Sequence, residues 1–170
     1  MNPNPLRRKC FLKQVVDISD AKVSSNPEDT LITYSLGSCI GVSAYDPVCK
    51  VGGMLHYQLP SSKQDAPGGT VRNPLMYADT GMEIMLKKMF SLGAEKKRIK
   101  VKIAGGAQML NDNDFFKIGK RNYTVIRQLL WKNGMFIDGE DVGGDAPRTL
   151  SLAIQDGTVT VKSRGEEKTL

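Results

Sequence analysis

The chain has 170 residues, enough for one compact domain with a hydrophobic core but too few for two domains of usual size. Its 40% hydrophobic and 25% charged residues are ordinary for a soluble globular protein, and no apolar run approaches the roughly 20 residues that a membrane-spanning helix needs. Three cysteines, an odd number, argue against a disulfide framework and favour a reducing compartment such as the cytoplasm. No apolar stretch follows the basic N-terminal residues, so we expect no secretory signal.

The net charge of +6 is compatible with a nucleic acid or an acidic protein as partner. The lysines and arginines are scattered along the chain, however, and no aromatic residues alternate with them as a base-stacking surface requires. We therefore predict a solvated basic surface and no nucleic-acid site. A basic face that docks on an acidic protein stays open as an alternative.

Hydrophobic patterns predict most elements in chain order. After a flexible arm over 1–10, we predict strands over 10–18 and 31–34 with a loop over 24–29 between them. Helices are predicted over 74–92 and 118–133, each ended by a glycine, with a strand over 99–104 between them. A strand over 135–138, a glycine-rich loop over 139–148, a hairpin over 150–161 and a polar tail over 163–170 complete the chain. Two helices cannot cover both faces of about eight strands, so we expect a helix layer on stacked sheets.

The stretch from Thr33 to His56 holds two of the three cysteines and the single histidine. Alternation of apolar residues predicts a hairpin whose strands carry Cys39 and His56, turning at Pro47-Val48. With that two-residue turn, Cys39 lies directly opposite His56. Directly opposed residues have Cβ atoms about 5 Å apart, which brings a thiol within reach of an imidazole.

A Cys–His pair of this kind can act as a nucleophile and its base, with the imidazole shifting the thiol towards thiolate. Backbone N–H groups of the turn at Gly37 and Ser38 can bind an oxyanion. The imidazole then needs a third group to fix its tautomer. The candidates for that group are Thr33, Ser35, Ser38 and Ser43.

Two other interpretations remain open. Cys39 can be an ordinary buried free cysteine with a half-buried histidine nearby. A zinc site made of Cys39, His56 and either Cys10 or Cys49 lacks a second histidine and a C-x-x-C pair.

Several motifs in this order resemble those of the chemoreceptor glutamine deamidase family, CheD, over about residues 11–162. They are Leu36-Gly-Ser-Cys-Ile-Gly-Val42, Asp46-Pro47, Gly53-Met-Leu-His56, Leu59-Pro60, Tyr77-Ala-Asp-Thr80, Lys102-Ile-Ala-Gly-Gly-Ala107, Ile118-Gly-Lys-Arg-Asn122 and Glu140-Asp-Val-Gly-Gly144.

The resemblance implies an α+β fold, a single-domain three-layer α/β/β sandwich with two main helices on stacked, mostly antiparallel or mixed sheets, similar to bacterial toxin cysteine deamidases. It also implies a deamidase domain over 11–162, with the arm before it and the polar tail after it. Cys39 would be the nucleophile, His56 the general base and acid, and Thr33 the third catalytic member. The family often has glycine where Ser35 stands, which is the one departure near the site.

The implied activity is hydrolysis of receptor glutamine side chains to glutamate through a thioester, with release of ammonia and weaker methylesterase action on glutamyl esters. No metal or organic cofactor is implied. The expected partners are methyl-accepting chemotaxis receptors and a CheC-type phosphatase, without nucleic acid or membrane insertion. The expected location is the cytoplasm, at receptor arrays on the inner face of the membrane. A non-enzymatic regulator that binds receptors or the phosphatase is the alternative.

Overall fold

The computed structural model of the protein describes residues 12–65, 70–108 and 117–170. The predicted arm over 1–10 lies outside these ranges. The strands are β1 (Leu12–Val15), β2 (Asp20–Ser24), β3 (Asp29–Leu36), β4 (Ile40–Asp46), β5 (Val51–Tyr57), β6 (Lys100–Gly105), β7 (Ile137–Val142), β8 (Arg148–Ala153), β9 (Val159–Ser163) and β10 (Glu166–Thr169). The helices are α1 (Ser62–Asp65), α2 (Ala78–Ser91) and α3 (Ile118–Lys132), with short 3-10 turns at Pro74–Met76 and Lys96–Arg98.

The strands form two five-stranded sheets. The first sheet has the order β1-β3-β8-β9-β10, and the second has the order β2-β5-β4-β6-β7. Both sheets are mixed, because β1 pairs in parallel with β3 and β6 pairs in parallel with β7, whereas the other pairs are antiparallel. Helices α2 and α3 cover one face of the second sheet, and the first sheet covers the other. The predicted α+β three-layer sandwich is confirmed.

The core is divided between the two interfaces of these layers. Every residue of β4 and β5 is buried, because these neighbouring strands are covered on both faces. The predicted apolar face of the hairpin, including Ile40, Val42 and Leu55, packs under the two helices. The opposite face packs against the first sheet and contains residues such as Tyr45 and Met54. The sequence motifs of the hairpin therefore lie at the centre of the molecule.

The register of the β4–β5 hairpin differs from the predicted one. Gly41, not Cys39, pairs with His56, and four residues, 47–50, join the strands instead of two. The side chain of Asp46 explains the longer turn, since its Oδ1 accepts a hydrogen bond from the Val48 N–H at 2.9 Å. Because the shift is two residues, every side chain keeps its predicted face. Cys39 is thus diagonal to His56 and not directly opposite to it.

Three strands differ from the predicted elements for one shared reason. The segment before the predicted loop forms β2, β7 extends into the predicted glycine-rich loop, and β10 occupies the predicted polar tail. All three are edge strands of their sheets. An edge strand has one hydrogen-bonded neighbour and carries polar residues, so its hydrophobic alternation is weak. The helix predicted over 118–133 is confirmed, whereas the one predicted over 74–92 is split into a 3-10 turn and α2.

Ser35 has a left-handed backbone conformation, with φ +57, at an irregularity in the pairing of β3 with β8. This backbone conformation costs a residue with a Cβ about 1 kcal/mol or more and costs glycine nothing. Glycine, however, loses more conformational entropy on folding, which offsets part of that difference. We expect Ser35→Gly to raise the free energy of unfolding by about 0.5 kcal/mol, measured by urea denaturation. Ser151→Gly, within the regular part of β8, is the control and should lower it by roughly 1 kcal/mol. An equal loss in both variants would contradict the prediction.

Candidate active site

Thr33 and His56 meet between the two sheets. Thr33 lies on β3 of the first sheet and His56 on β5 of the second, and both side chains are buried. The Thr33 Oγ1 atom is 2.7 Å from His56 Nδ1. Of the four candidates that the sequence left for the third group, the structure brings Thr33 to the imidazole.

The hydrogen bonds of Thr33 determine the tautomer of His56. The Thr33 hydroxyl donates its single proton to the backbone carbonyl of Val16 at 2.7 Å. Its oxygen must therefore accept from His56, so Nδ1 of the neutral imidazole carries the proton. The lone pair then lies on Nε2, which is buried and has no hydrogen-bond partner among the residues that the structure describes. A ring nitrogen in this state can accept a hydrogen bond or a proton from a group that approaches it.

Cys39 lies directly before β4, on the inter-sheet side of the hairpin. Its side chain is half-buried and packs against the core between the sheets. Diagonal neighbours on adjacent strands have Cβ atoms roughly 7 Å apart, a distance that an imidazole side chain spans in part. The thiol and the imidazole therefore belong to the same interior layer.

Residues 105–107 hold the turn that carries Cys39. The backbone N–H of Gly106 donates to the Cys39 carbonyl, and the N–H of Ala107 donates to the Gly37 carbonyl, both at 2.8 Å. Gly105 has φ +115, and a Cβ there would lie 2.2 Å from the Cys39 carbonyl oxygen. The Gly105-Gly106 pair therefore allows close packing against the turn that carries Cys39.

The turn offers candidate donors for an oxyanion, although not all those that were predicted. The Gly37 N–H already donates to the Ser35 carbonyl at 2.9 Å, which corrects its assignment as a free donor. Within the described part of the chain, the N–H groups of Ser38 and Cys39 donate to no other main-chain carbonyl outside the regular strands and helices. These two N–H groups are the candidates that remain.

Burial controls the ionisation of both groups. Desolvation lowers the pKa of His56 from 6.5 to about 4, and the Asp17 carboxylate opposes this shift in part. Desolvation also raises the pKa of the Cys39 thiol. At neutral pH the resting pair is consequently a neutral thiol and a neutral imidazole. This direction is opposite to the thiolate shift expected from the sequence.

The zinc alternative gains no support. Cys49 lies in the turn at the other end of β4, and seven strand residues separate the two ends, or about 20 Å at the usual rise. Cys10 lies outside the described residues. Within 12–65, 70–108 and 117–170, no group of three His, Cys, Asp or Glu side chains could hold a metal ion.

Sequence reasoning missed two parts of the site. One is the Val16 carbonyl, a main-chain group that carries no side-chain signal. The other is Asn122, which lies on α3 and contacts the Cys39 turn. The motif at 118–122 that contains Asn122 was visible in the sequence. The contact between Asn122 and Ser38 was not, because 84 residues separate the two positions.

The fold and these residues define a three-layer α/β/β domain with a buried Thr33–His56 pair and the half-buried Cys39 in the same inter-sheet layer. A family model described as CheD chemotactic sensory transduction matches residues 58–163. The chain is 50% identical over 151 residues to the probable chemoreceptor glutamine deamidase CheD 1 of Syntrophus aciditrophicus, covering 89% of this chain and 94% of that protein. It is 44% identical over 156 residues to a probable chemoreceptor glutamine deamidase CheD of Solibacter usitatus, covering 92% of each. This chain belongs to the CheD family.

Among solved structures, the hypothetical protein YfiH of Bacillus licheniformis matches 72% of this chain and 49% of its own, with 17% identity and a TM-score of 0.42. That likeness is too distant to support an argument. In the described ranges, no helix is long and apolar enough to span a membrane.

The low pKa of His56 predicts a specific loss of stability in acid. Above pH 6.5 both the folded and the unfolded chain hold a neutral imidazole. Between pH 6.5 and about 4 only the unfolded chain takes up the proton, so unfolding becomes more favourable as the pH falls. We expect the wild type to lose about 3 kcal/mol more than His56→Gln across this range, measured by urea unfolding.

His56 is the only histidine, so the difference between the two proteins isolates this one titration from that of the carboxylates. Parallel stability curves for the two proteins between pH 6.5 and 4 would contradict the assignment of a buried neutral His56.

Proposed function

We propose that this chain is a cysteine-dependent amidohydrolase that converts glutamine side chains of chemotaxis receptors to glutamate and releases ammonia. The curated relatives are named chemoreceptor glutamine deamidases, which supports the substrate class. The observation that carries the cysteine chemistry is the unpartnered Nε2 atom of His56, which is buried in the same inter-sheet layer as the Cys39 thiol. Thr33 holds the other ring nitrogen, Nδ1.

In the first half of the reaction, His56 Nε2 takes the proton of the Cys39 thiol while the sulfur attacks the carboxamide carbon. The N–H groups of Ser38 and Cys39 are the proposed donors to the oxyanion that forms. His56 then gives its proton to the departing nitrogen. Ammonia is released, and a thioester to Cys39 remains.

In the second half, His56 takes a proton from water, and the hydroxide attacks the thioester carbon. The thiolate leaves and recovers the proton from His56, which releases the glutamate side chain. The sum is one carboxamide and one water converted to one carboxylic acid and one ammonia. Thr33 keeps the proton of the neutral ring on Nδ1 throughout, so Nε2 is the nitrogen that exchanges protons.

The neutral resting state suits this sequence of steps. A buried imidazolium is costly, so the proton is best transferred only while the sulfur–carbon bond forms. The same acyl chemistry extends to glutamyl methyl esters, where methanol leaves in place of ammonia, and we include a weaker methylesterase activity in the proposal.

The proposal also covers partners and location. Receptor substrates would bring the protein to receptor arrays at the inner face of the membrane, and a CheC-type phosphatase would compete with them for the protein. The net charge of +6 favours encounter with acidic protein surfaces. Addition of the phosphatase to a deamidation assay should then raise the apparent KM for the receptor.

Cys39→Ala should abolish deamidation and leave the fold intact, because the sulfur is the attacking atom. Mass spectrometry of glutamine-bearing receptor fragments before and after incubation measures the conversion. Cys49→Ala is the matched control, since that half-buried cysteine lies at the far end of the hairpin and should leave the rate unchanged. Full activity of Cys39→Ala would refute the cysteine mechanism, and receptor binding without conversion by the wild type would favour the non-enzymatic regulator.

Thr33→Val should lower kcat by roughly 10- to 100-fold, because valine keeps the volume but cannot accept a hydrogen bond from the Nδ1–H group. Thr33→Ser keeps the hydroxyl and should retain most of the wild-type rate. Thr30→Val on the same strand is the control for a general loss of stability. A wild-type kcat in Thr33→Val would remove Thr33 from the mechanism.

A further inference from the structure

Asn122 connects the two segments that carry the nucleophile and the base. Its side chain is fully buried on α3. The Nδ2 atom donates to the Ser38 carbonyl at 3.0 Å and to the Gln58 carbonyl at 2.7 Å. Ser38 immediately precedes Cys39 in the turn, and Gln58 follows His56 by two residues at the end of β5. A single NH₂ group thus bridges the turn and the strand.

The position of Asn122 is itself fixed from two directions. Its backbone carbonyl accepts a hydrogen bond from the hydroxyl of Tyr57, a fully buried residue next to His56, at 2.8 Å. On the other side, α3 approaches the loop over 105–107 closely, since a Cβ at Gly119 would lie 2.6 Å from the Gly106 and Ala107 carbonyl oxygens. Asn122 is therefore held by β5, which it joins to the Cys39 turn, and by the loop that packs against that turn.

The chemistry of the amide argues for a role beyond filling space. Two carbonyl acceptors require the NH₂ group to face them, which leaves the Asn122 Oδ1 atom buried and without a partner among the described residues. A buried polar atom in this state costs about 1–3 kcal/mol, a cost that an apolar side chain of similar size would not carry for its own atoms. An amide kept at such a cost points to the geometry that its two donated bonds impose.

We propose that Asn122 is a positioning residue that sets the separation of the Cys39 thiol from the His56 imidazole. This role rests on the proposed amidohydrolase function. Asn122 itself touches neither the substrate nor a reacting atom. The two bonds oppose movement of the Cys39 turn away from β5. Their loss leaves both side chains in place but lets the turn shift relative to the base.

Asn122→Asp tests this with an isosteric change, because a carboxylate donates neither bond and repels both carbonyls. We expect kcat for a glutamine-bearing receptor fragment to fall by roughly 100-fold, as for a displacement of about 1 Å, with a much smaller change in KM. Alkylation of Cys39 by iodoacetamide should become faster, because a released turn relieves the burial that raises the pKa of its thiol. Alkylation of Cys49 in the same molecule should stay constant.

Tyr45→Phe is the matched control. The buried Tyr45 hydroxyl donates to the Ile154 carbonyl at 3.0 Å, so this variant also loses a buried side-chain bond to the main chain. It should lose stability without any change in kcat or in the ratio of Cys39 to Cys49 alkylation. Asn122→Ala removes the amide without adding charge and repeats the test if the aspartate variant does not fold.

Wild-type kcat and an unchanged alkylation ratio in the folded Asn122 variants would overturn the proposal. So would a loss of activity that matches only the unfolded fraction measured by urea denaturation. Failure of the proposed function is distinguishable, because the wild type would then convert no glutamine substrate. The alkylation ratio of wild type and variants needs no substrate, and it would still decide whether Asn122 holds the turn.

Discussion

The hydrogen bond between Thr33 and His56 is the interaction on which the proposed chemistry depends. It joins the two sheets through side chains, and the Val16 carbonyl completes it by accepting a hydrogen bond from the threonine hydroxyl. In an interior of low dielectric such a bond is strong, and a ring nitrogen left unpaired is correspondingly costly. The proton on Nδ1 is committed to Thr33, so Nε2 is the ring nitrogen with a free lone pair, although burial keeps it unprotonated at neutral pH.

Burial between the sheets also explains why Cys39 and His56 are both uncharged in the resting state. Desolvation favours the neutral form of both groups, lowering the pKa of the imidazole and raising that of the thiol. A thiol in this state reacts slowly with oxidants and with general electrophiles, because the thiolate is the nucleophile. In the proposed mechanism, reaction depends on a carbonyl group held against the sulfur, so that proton transfer and bond formation occur together. Burial would then favour a docked side chain over other electrophiles.

Hydrophobic alternation predicted the strands and helices that pack in the interior and the edge strand β1, but it failed for edge strands with mainly polar residues. The polar strands β2, β7 and β10 all lie at sheet edges. The hairpin register was wrong because the bond from Val48 to Asp46 stabilises a four-residue turn, a local interaction that alternation does not report. Cys39 kept its face because the error was an even number of residues. The Val16 carbonyl and the contacts of Asn122 link distant segments, and no spacing in the sequence encodes them.

The family model matches residues 58–163, a range that contains none of the three proposed catalytic residues. That range does contain Gly105, Gly119 and Asn122, which bring β6 and α3 against the turn that carries Cys39. Cys39, the proposed nucleophile, lies one residue before β4 and outside the paired residues of the hairpin. Its position therefore depends on contacts with β6 and α3, which follow it by many residues in the chain. The motifs at 102–107 and 118–122 supply that packing, so the proposed catalytic group and the elements that hold it are divided between the two halves of the chain.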